Sequence, residues 1–357
     1  MSKKIVFCAD GTWCHPNSPS LVEARDTNVY KLYKMLAYTA TQATFYDDGV
    51  GSGGNLFSHL LGGAFGEGLF QKVKDGYTAI AHVYEEGDSV YIFGFSRGAY
   101  TARSLAGMIA ICGLPTKNFD TNLVDTAFKA YRNKRQRASI LTNLAQYGLY
   151  DAKITCVGVW DTVGALGIPV DPFGIDDAKY GFLDTNLHPD VVNAFHAVSI
   201  DERRREFPAT LWTPPFAPGR NVEQVWFSGV HCDVGGGYSE TGLSDITLSW
   251  MLTKALGCDS TNSLELINSV ASPYLSVEAK HALDTIHESW SLLWGFPRRR
   301  AVPETAEIAN SVGIRISHDG TYRPTNLRLT ASGLAEAYGV ESVVTGVDAA
   351  AQLKGAG

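Results

Sequence analysis

Ser96 is the residue of this chain whose surroundings point most directly to chemistry. It is the centre of a G-x-S-x-G pentapeptide that runs from Gly94 to Gly98. The apolar residues Val90–Phe93 before it predict a buried strand, and the residues after it have helical composition. A serine at such a strand–turn–helix junction takes a positive φ and exposes its hydroxyl as a nucleophile. A serine that only caps the following helix is the alternative, but that role leaves the two glycines unexplained.

A serine hydroxyl becomes a strong nucleophile when a histidine accepts its proton and a carboxylate orients that histidine. In α/β hydrolases the serine comes first along the chain, then the acid, then the histidine. His231 follows the predicted strand Glu223–Phe227 and precedes a run of three glycines, which allows the chain to bend over the sheet edge. We therefore expect His231 to be the general base. His196 lies within a predicted strand and is expected to be a core residue.

Two aspartates could orient His231. Asp201 ends the predicted strand Ala194–Ile200, which directly precedes the His231 strand along the chain. Asp161 ends the strand before that one, in the sequence VGVWDTVG. The order of triad residues and the strand placement favour Asp201 as the acid, with Asp161 as the alternative. The aspartate that does not orient the histidine is expected to line the pocket or to anchor its loop.

An oxyanion hole needs two backbone N–H groups about 3 Å from the developing negative charge. Arg97, directly after the serine, is expected to supply one of them, and Gly11 or Thr12 the other. Asp10 is expected to hold its own turn. The strand ends also bring other side chains to the predicted substrate pocket, and the candidates are Asp10, Asp48, Phe95, Asp161 and Asp233.

Short apolar runs alternate with helical segments along the chain, which predicts an α/β fold with a mostly parallel central sheet and helices on both faces. The predicted strands are Lys4–Cys8, Ala43–Tyr46, Ser89–Phe93, Lys153–Val159, Ala194–Ile200 and Glu223–Phe227. The predicted helices are Asn28–Ala40, Gly68–Tyr84, Tyr100–Ile111, Asp120–Asn133 and Ser244–Leu256. We expect one catalytic domain over residues 1–357, with its core at about 3–330. Elaborations are expected at 51–68 and 112–150, followed by a tail of small residues.

The composition is that of an ordinary globular protein, with 45% hydrophobic and 19% charged residues. The net charge of −7 argues against nucleic acid as a partner. The short basic run Arg298–Arg300 is expected to be a solvated turn, with contact to an anionic head group as the alternative. The six cysteines are scattered and show no zinc pattern, so we expect neither a metal nor an organic cofactor. The N-terminal apolar run is too short for a signal peptide and no segment is long enough to span a bilayer, which predicts a cytoplasmic chain or export by a signal-independent route.

Five motifs occur in the same order as in one hydrolase family. They are DGTW at Asp10–Trp13, YDDGVG at Tyr46–Gly51, GFSRGAYTAR at Gly94–Arg103, GVWDTVG at Gly158–Gly164 and WFSGVHCDVGGGY at Trp226–Tyr238. With these motifs the chain resembles the catalytic domain of the type VI secretion phospholipase effectors over roughly residues 3–330. The resemblance implies an α/β-hydrolase fold and phospholipase A-type ester hydrolysis. It implies that the family serine is Ser96, its histidine His231 and its aspartate Asp201, with Asp161 in reserve.

The residues and the resemblance together predict a serine esterase that acts on lipid or phospholipid, with peripheral membrane contact. If the chain is an effector, it would also have an immunity or secretion partner. Three other hypotheses remain. They are an esterase or thioesterase for a small soluble substrate, an idle binding module of a toxin or defence system, and a metal-dependent phosphodiesterase built on Asp10, Asp47 and Asp48.

Overall fold

The computed structural model describes residues 2–11, 26–48, 64–116, 120–163, 186–331 and 333–344. At its centre is an eight-stranded sheet in which every neighbouring pair of strands is parallel. The strands are β1 (Lys4–Ala9), β2 (Gln42–Asp47), β3 (Ser89–Phe95), β4 (Ile154–Trp160), β5 (Val191–Ser199), β6 (Asn221–Phe227), β7 (Glu307–Ala309) and β8 (Gly339–Glu341). Their order across the sheet is β8-β7-β6-β5-β4-β3-β1-β2. The predicted α/β fold with a mostly parallel sheet is confirmed.

Helices cover both faces of this sheet. The helices are α1 (Asn28–Met35), α2 (Ala64–Val83), α3 (Arg97–Cys112), α4 (Thr121–Arg132), α5 (Arg137–Leu144), α6 (His231–Gly235), α7 (Gly242–Gly257), α8 (Asn268–Ala271) and α9 (Asn310–His318). Single turns of 3-10 helix lie at Ala145–Tyr147, Ser272–Tyr274, Ala279–Leu283 and Leu292–Trp294. Two small antiparallel pairs join Leu114–Pro115 to Leu149–Tyr150 and Leu329–Thr330 to Gly333–Leu334.

Two apolar cores lie on opposite faces of the sheet, because successive side chains of a strand point to opposite sides. From β1, Ile5 and Phe7 enter one core with side chains of α2, α3 and α4. Val6 and Cys8 enter the other core with side chains of α1, α7 and α9. The central strands are therefore buried on both faces, which fixes the positions of their carboxyl ends.

The order of the strands creates a crevice beside β1. From β1 the chain first builds β2 on one side and then crosses to build β3 on the other side. Connections that leave a strand in opposite directions open a crevice at its carboxyl end, where α/β proteins bind ligands. Gly11 follows β1 and Ser96 follows β3, so both residues lie at this crevice.

All six predicted strands and all five predicted helices are present, with differences at their ends. The helix predicted over Asn28–Ala40 ends at Met35, because the chain there pairs with a later segment through Ile267 N–H and Met35 O at 2.7 Å. The segment that begins at His231 was predicted as a glycine-rich loop but forms the short helix α6. Within the described ranges, no helix is both long enough and apolar enough to cross a bilayer.

Candidate active site

The turn between β3 and α3 places Ser96 in a conformation that few residues adopt. Its backbone has φ 58° and ψ −119°, the positive φ expected from the pentapeptide. A Cβ on Gly94 would lie 2.3 Å from the carbonyl oxygen of Gly98, and one on Gly98 would lie 2.2 Å from that of Ala9. Both glycines are therefore required for strand, helix and β1 to pass this closely.

Three buried side chains from three strand ends form a hydrogen-bonded chain. Ser96 Oγ lies 2.8 Å from Nε2 of His231, and Nδ1 of the same ring lies 2.6 Å from Oδ2 of Asp161. His231 is the first residue of α6, just after β6, and Asp161 directly follows β4. Ser96 and Asp161 are the two non-glycine residues with positive φ in the described part of the chain. Backbone strain is thus concentrated at this site, as is common where function sets the geometry.

Two aromatic rings hold the imidazole of His231. Phe95 lies against it with ring centroids 4.6 Å apart, and Phe207 meets it edge-on at 5.1 Å. A Cβ on Gly235 would lie 1.9 Å from the Phe95 ring, so α6 needs a glycine here to pack on β3. Phe95 is predicted to line the substrate pocket, but it is completely buried and packs against the ring of His231.

Arg300 binds the outer side of Asp161. Its Nη1 and Nη2 donate to Oδ1 and Oδ2 of the carboxylate at 2.5 and 2.9 Å, and Nη1 also donates to Ser199 Oγ at 2.7 Å. The backbone N–H of Ser199 donates to the same Oδ1 at 2.8 Å. The prediction of a solvated turn is wrong for Arg300, which is buried, although its neighbours Arg298 and Arg299 are exposed.

These contacts set the charges of the site. Burial alone raises the pKa of Asp161, but the charge of Arg300 and the hydrogen bond from His231 outweigh it and hold the pKa well below the ordinary value. Burial lowers the pKa of His231, and the hydrogen bond that the ring donates to Asp161 opposes that shift only in part. At neutral pH the site therefore contains a carboxylate and a neutral imidazole, which is the state a general base requires.

Asp201 does not contact the histidine side chain. Its Oδ2 accepts hydrogen bonds from Gly229 N–H at 2.7 Å and from the Tyr322 hydroxyl at 2.9 Å. The preference for Asp201 over Asp161 as the residue that orients His231 is therefore wrong in this structure. Asp201 anchors the loop that leads from β6 to His231, the role expected of whichever aspartate does not reach the ring.

A second buried ion pair supports His231 from its backbone side. Glu202 accepts from Nε and Nη2 of Arg204 at 3.0 and 2.8 Å, and from the backbone N–H of His231 at 3.3 Å. Burial would raise the pKa of Glu202, but the hydrogen bonds and charge of Arg204 lower it to about 2. The guanidinium of Arg204 also stacks 3.7 Å from the ring centroid of Phe207. Nothing in the sequence singles out Glu202 or Arg204, because the motif DERRRE is typical of a charged surface loop.

The candidate oxyanion donors come from two strand ends. Arg97 is the first residue of α3, so its N–H lies at the N-terminal end of the helix, which favours negative charge. The N–H of Gly11 donates to Oδ1 of Asp10 at 2.7 Å, which argues against Gly11 as a donor to substrate. Thr12 lies outside the described residues. Gly11 nevertheless lies close to the nucleophile, since a Cβ there would be 3.3 Å from Ser96 Cβ.

The other pocket candidates have partners of their own. Asp10 is buried and also accepts from Thr27 Oγ1 at 2.6 Å and the Tyr46 hydroxyl at 2.8 Å, so it holds its turn as expected. Burial, opposed by these bonds, raises the pKa of Asp10 to about 6. Asp233 pairs with His287 at 2.6 Å, and Asp48 lies 3.4 Å from Lys72 on the surface.

His196 is a buried core residue, as expected, and its Nε2 accepts from Thr162 N–H at 3.1 Å. Burial lowers the pKa of His196 to about 3.

Among the residues with described positions, no group of three or more His, Cys, Asp or Glu side chains is placed to hold a metal ion. A serine, a neutral histidine and a carboxylate in this order can transfer an acyl group.

Comparison with known proteins assigns the chain to a family. The model of the family described as type VI secretion phospholipase effector Tle1-like, catalytic domain, matches residues 3–254. An uncharacterized protein of Saccharomyces cerevisiae is 31% identical over 243 residues, which are 60% of this chain and 34% of the yeast protein. The chain thus spans about a third of the length of this relative.

Two solved structures are similar at low identity. An uncharacterized protein from Pseudomonas aeruginosa is 18% identical with a TM-score of 0.48, covering 76% of this chain and 48% of that one. A Tle1 effector bound to the VgrG spike of the type VI secretion system is 16% identical with a TM-score of 0.37, covering 67% and 52%. The family match extends over most of the chain and contains Ser96, Asp161 and His231. The chain therefore belongs to the family described as type VI secretion phospholipase effector Tle1-like, catalytic domain.

Proposed function

We propose that this chain is a serine hydrolase that cleaves carboxylic esters of lipids through an acyl-enzyme on Ser96. The observation that carries the proposal is the continuous hydrogen-bonded chain, 2.8 Å from Ser96 Oγ to His231 Nε2 and 2.6 Å from His231 Nδ1 to Asp161. Membership of a phospholipase family supports lipid as the substrate class. Asp161 takes the acid role for which sequence order favoured Asp201.

In the first half of the reaction Ser96 Oγ attacks the ester carbonyl carbon while His231 Nε2 takes the hydroxyl proton. Asp161 keeps the proton of the imidazole on Nδ1 and stabilises the imidazolium that forms. His231 then gives its proton to the oxygen of the leaving alcohol, and the bond from the carbonyl carbon to that oxygen breaks. In the second half water attacks the acyl-enzyme, His231 takes a proton from it and returns one to Ser96, and the carboxylic acid leaves.

The tetrahedral intermediate needs two hydrogen-bond donors near its oxyanion. We assign the N–H of Arg97 as one donor, because it follows the nucleophile and begins α3. For the second donor the prediction of Gly11 or Thr12 stands, and the hydrogen bond that Gly11 N–H already donates to Asp10 disfavours Gly11.

The proposal is tested by hydrolysis of p-nitrophenyl acyl esters of graded chain length and of a labelled phospholipid. Ser96→Ala should lower kcat by about a million-fold, as removal of a triad nucleophile does elsewhere. Ser104→Ala is the matched control, since Ser104 is a buried serine in α3, the helix that follows Ser96, and lies outside the hydrogen-bonded chain. It should retain wild-type kcat.

The chain-length profile decides the substrate class. Rising kcat/KM towards long acyl chains, together with release of fatty acid from phospholipid, supports a lipid hydrolase. A maximum at short acyl chains would instead favour a small soluble ester or thioester. Full activity in Ser96→Ala would contradict the serine mechanism itself, and loss of that activity with a chelator would point to the acidic strand ends.

A further inference from the structure

The segment that leads from Ser289 to Arg300, here called the strap, exposes large apolar side chains. Leu292 is 86% exposed and Phe296 is 93% exposed. Single exposed apolar side chains are ordinary on protein surfaces. Two almost fully exposed apolar side chains four positions apart form a local apolar patch. Leu292 begins the 3-10 turn Leu292–Trp294, and Phe296 follows Gly295, whose φ of 68° turns the chain. The strap therefore presents both side chains to the solvent.

Positive charge follows directly after this apolar pair. Arg298 and Arg299 are exposed, and the charge of Arg299 opposes the burial that raises the pKa of Asp201. The nearby acid Glu288 is bound to Arg203, so its charge is already compensated. An apolar tip with exposed arginines beside it is the pattern by which peripheral proteins bind the surface of an anionic membrane.

The strap is attached to the candidate active site at both ends. At its start, Ser289 Oγ donates to the carboxylate of Glu202 at 3.0 and 3.1 Å. At its end, Arg300 binds both oxygens of Asp161. The exposed pair thus lies on a segment whose two ends are held by buried carboxylates of the site.

Packing in the middle of the strap connects it to the histidine. Trp294 meets Phe207 edge-on with ring centroids 5.7 Å apart, and Phe207 in turn meets His231 at 5.1 Å. The indole N–H of Trp290 donates to Gly295 O at 3.1 Å and closes the turn on itself. The strap is therefore an ordered element next to the site, which suits a surface that must keep a defined position relative to Ser96.

We propose that the strap docks this protein on an anionic lipid surface. Leu292 and Phe296 enter the boundary between head groups and acyl chains, and Arg298 and Arg299 bind lipid phosphates. The inference rests on the proposed function in one respect, since docking there brings membrane esters to Ser96. A lipid surface fits better than a protein partner, because the site beneath the strap has the chemistry of a lipid hydrolase family.

The test is co-sedimentation of the full chain, carrying Ser96→Ala, with large vesicles of phosphatidylcholine alone or with roughly a third phosphatidylglycerol. The parent protein should partition onto the anionic vesicles and should be released by salt. Leu292→Ser and Phe296→Ser should each lower the partition coefficient about tenfold, because each removes one inserted apolar side chain. Arg298→Ser and Arg299→Ser should each lower it about fivefold, and only on vesicles that contain phosphatidylglycerol.

Tyr38→Ser is the matched control. Tyr38 is also large and 79% exposed, but it lies between α1 and β2, far along the chain from the strap. Its replacement should leave vesicle binding unchanged. Thermal unfolding of every variant shows whether a lost interaction reflects lost folding, and all midpoints should agree with that of the parent protein.

Absence of binding of the folded parent protein to anionic vesicles would overturn the proposal, and so would binding that the four strap substitutions leave unchanged. Vesicle binding is measured without turnover, so it does not depend on the hydrolase mechanism. Hydrolysis of short soluble esters without vesicle binding would reject the docking surface and keep the proposed function. Vesicle binding that depends on the strap, without any ester hydrolysis, would reject the proposed function and keep the docking surface.

Discussion

Strands β4 and β5 lie side by side, run parallel, and each is followed by an aspartate at the same edge of the sheet, Asp161 buried and Asp201 half-buried. Asp161, after β4, contacts the ring of His231, whereas Asp201, near the end of β5, contacts Gly229 and Tyr322. The pKa values of the two carboxyl groups are also shifted in opposite directions. Arg300 and His231 lower the pKa of Asp161, while burial raises the pKa of Asp201 against its hydrogen bonds.

The comparison shows that a position at a strand end does not decide which acid meets the histidine. The backbone of Asp161 has a φ of 40°, which turns the residue out of the strand direction. Asp201 instead joins two loops, because its N–H donates to Gly229 O at 3.0 Å and its carboxylate accepts from Gly229 N–H. One aspartate therefore acts on the imidazole directly, and the other holds the loop that delivers it.

The largest expected difference between the two strand ends is in catalysis. Asp161→Asn should lower kcat about ten-thousand-fold, because an amide opposite Nδ1 favours the wrong tautomer of His231. Steady-state kinetics on a short p-nitrophenyl ester measure this effect. A loss of less than tenfold would mean that Asp161 does not orient the histidine.

Removal of the positive charge behind Asp161 should have the next largest effect. Arg300→Gln leaves the buried carboxylate without its guanidinium, which should cost about 3 kcal/mol in the free energy of unfolding. The resulting misplacement of Asp161 and His231 should lower kcat/KM about a hundredfold. Denaturant unfolding and ester kinetics measure the two effects, with exposed Arg135→Gln as the control. Arg300→Lys should recover part of the lost free energy of unfolding. Equal kcat/KM values in all three variants would show that Arg300 does not contribute to catalysis.

Asp201→Asn should change catalysis little. The amide oxygen can still accept from both Gly229 N–H and the Tyr322 hydroxyl, so kcat/KM should remain within about threefold of the parent value. Tyr322→Phe removes one of these bonds and should lower the free energy of unfolding by about 1 kcal/mol. A loss of kcat in Asp201→Asn as large as that in Asp161→Asn would contradict the different roles given to the two aspartates.

The smallest expected difference is in the pH dependence. Burial lowers the pKa of His231, so the acidic limb of the kcat/KM profile should have its midpoint below 6.5. Asp161 raises the pKa of His231, so Asp161→Asn should move the limb of the residual activity to still lower pH. Asp201→Asn should leave the limb in place. A midpoint above 6.5 in the parent protein would contradict a neutral, buried base.

Local sequence patterns were enough to predict the strand–turn–helix geometry at Ser96 and to single out His231. The pentapeptide at Ser96 and the glycines after His231 impose their geometry within a few residues, and buried strands such as β1 and β3 read as apolar runs. The choice between Asp161 and Asp201 was beyond such reasoning, because both follow apolar strands and only the folded backbone separates them.

Contacts between distant segments explain the remaining errors. Arg300 looks like part of an exposed basic run, and nothing near it in the sequence reveals that it lies against Asp161, 139 positions earlier. Strands β7 and β8 have three residues each, too few to show a period. The cluster of Glu202, Arg204 and Phe207 was missed for a similar reason, since its charges are compensated only in the folded chain.

The position of Arg300 has a consequence for how the protein becomes active during synthesis. Ser96, Asp161 and His231 leave the ribosome well before Arg300, and the family match ends at residue 254, ahead of it. Until the guanidinium arrives, Asp161 cannot be buried as a carboxylate without a large desolvation penalty. We therefore expect a nascent chain to remain inactive on a short ester until Arg300 has folded against β4. If the proposed function holds, the last third of the chain thus sets the time at which a newly made protein can begin to act.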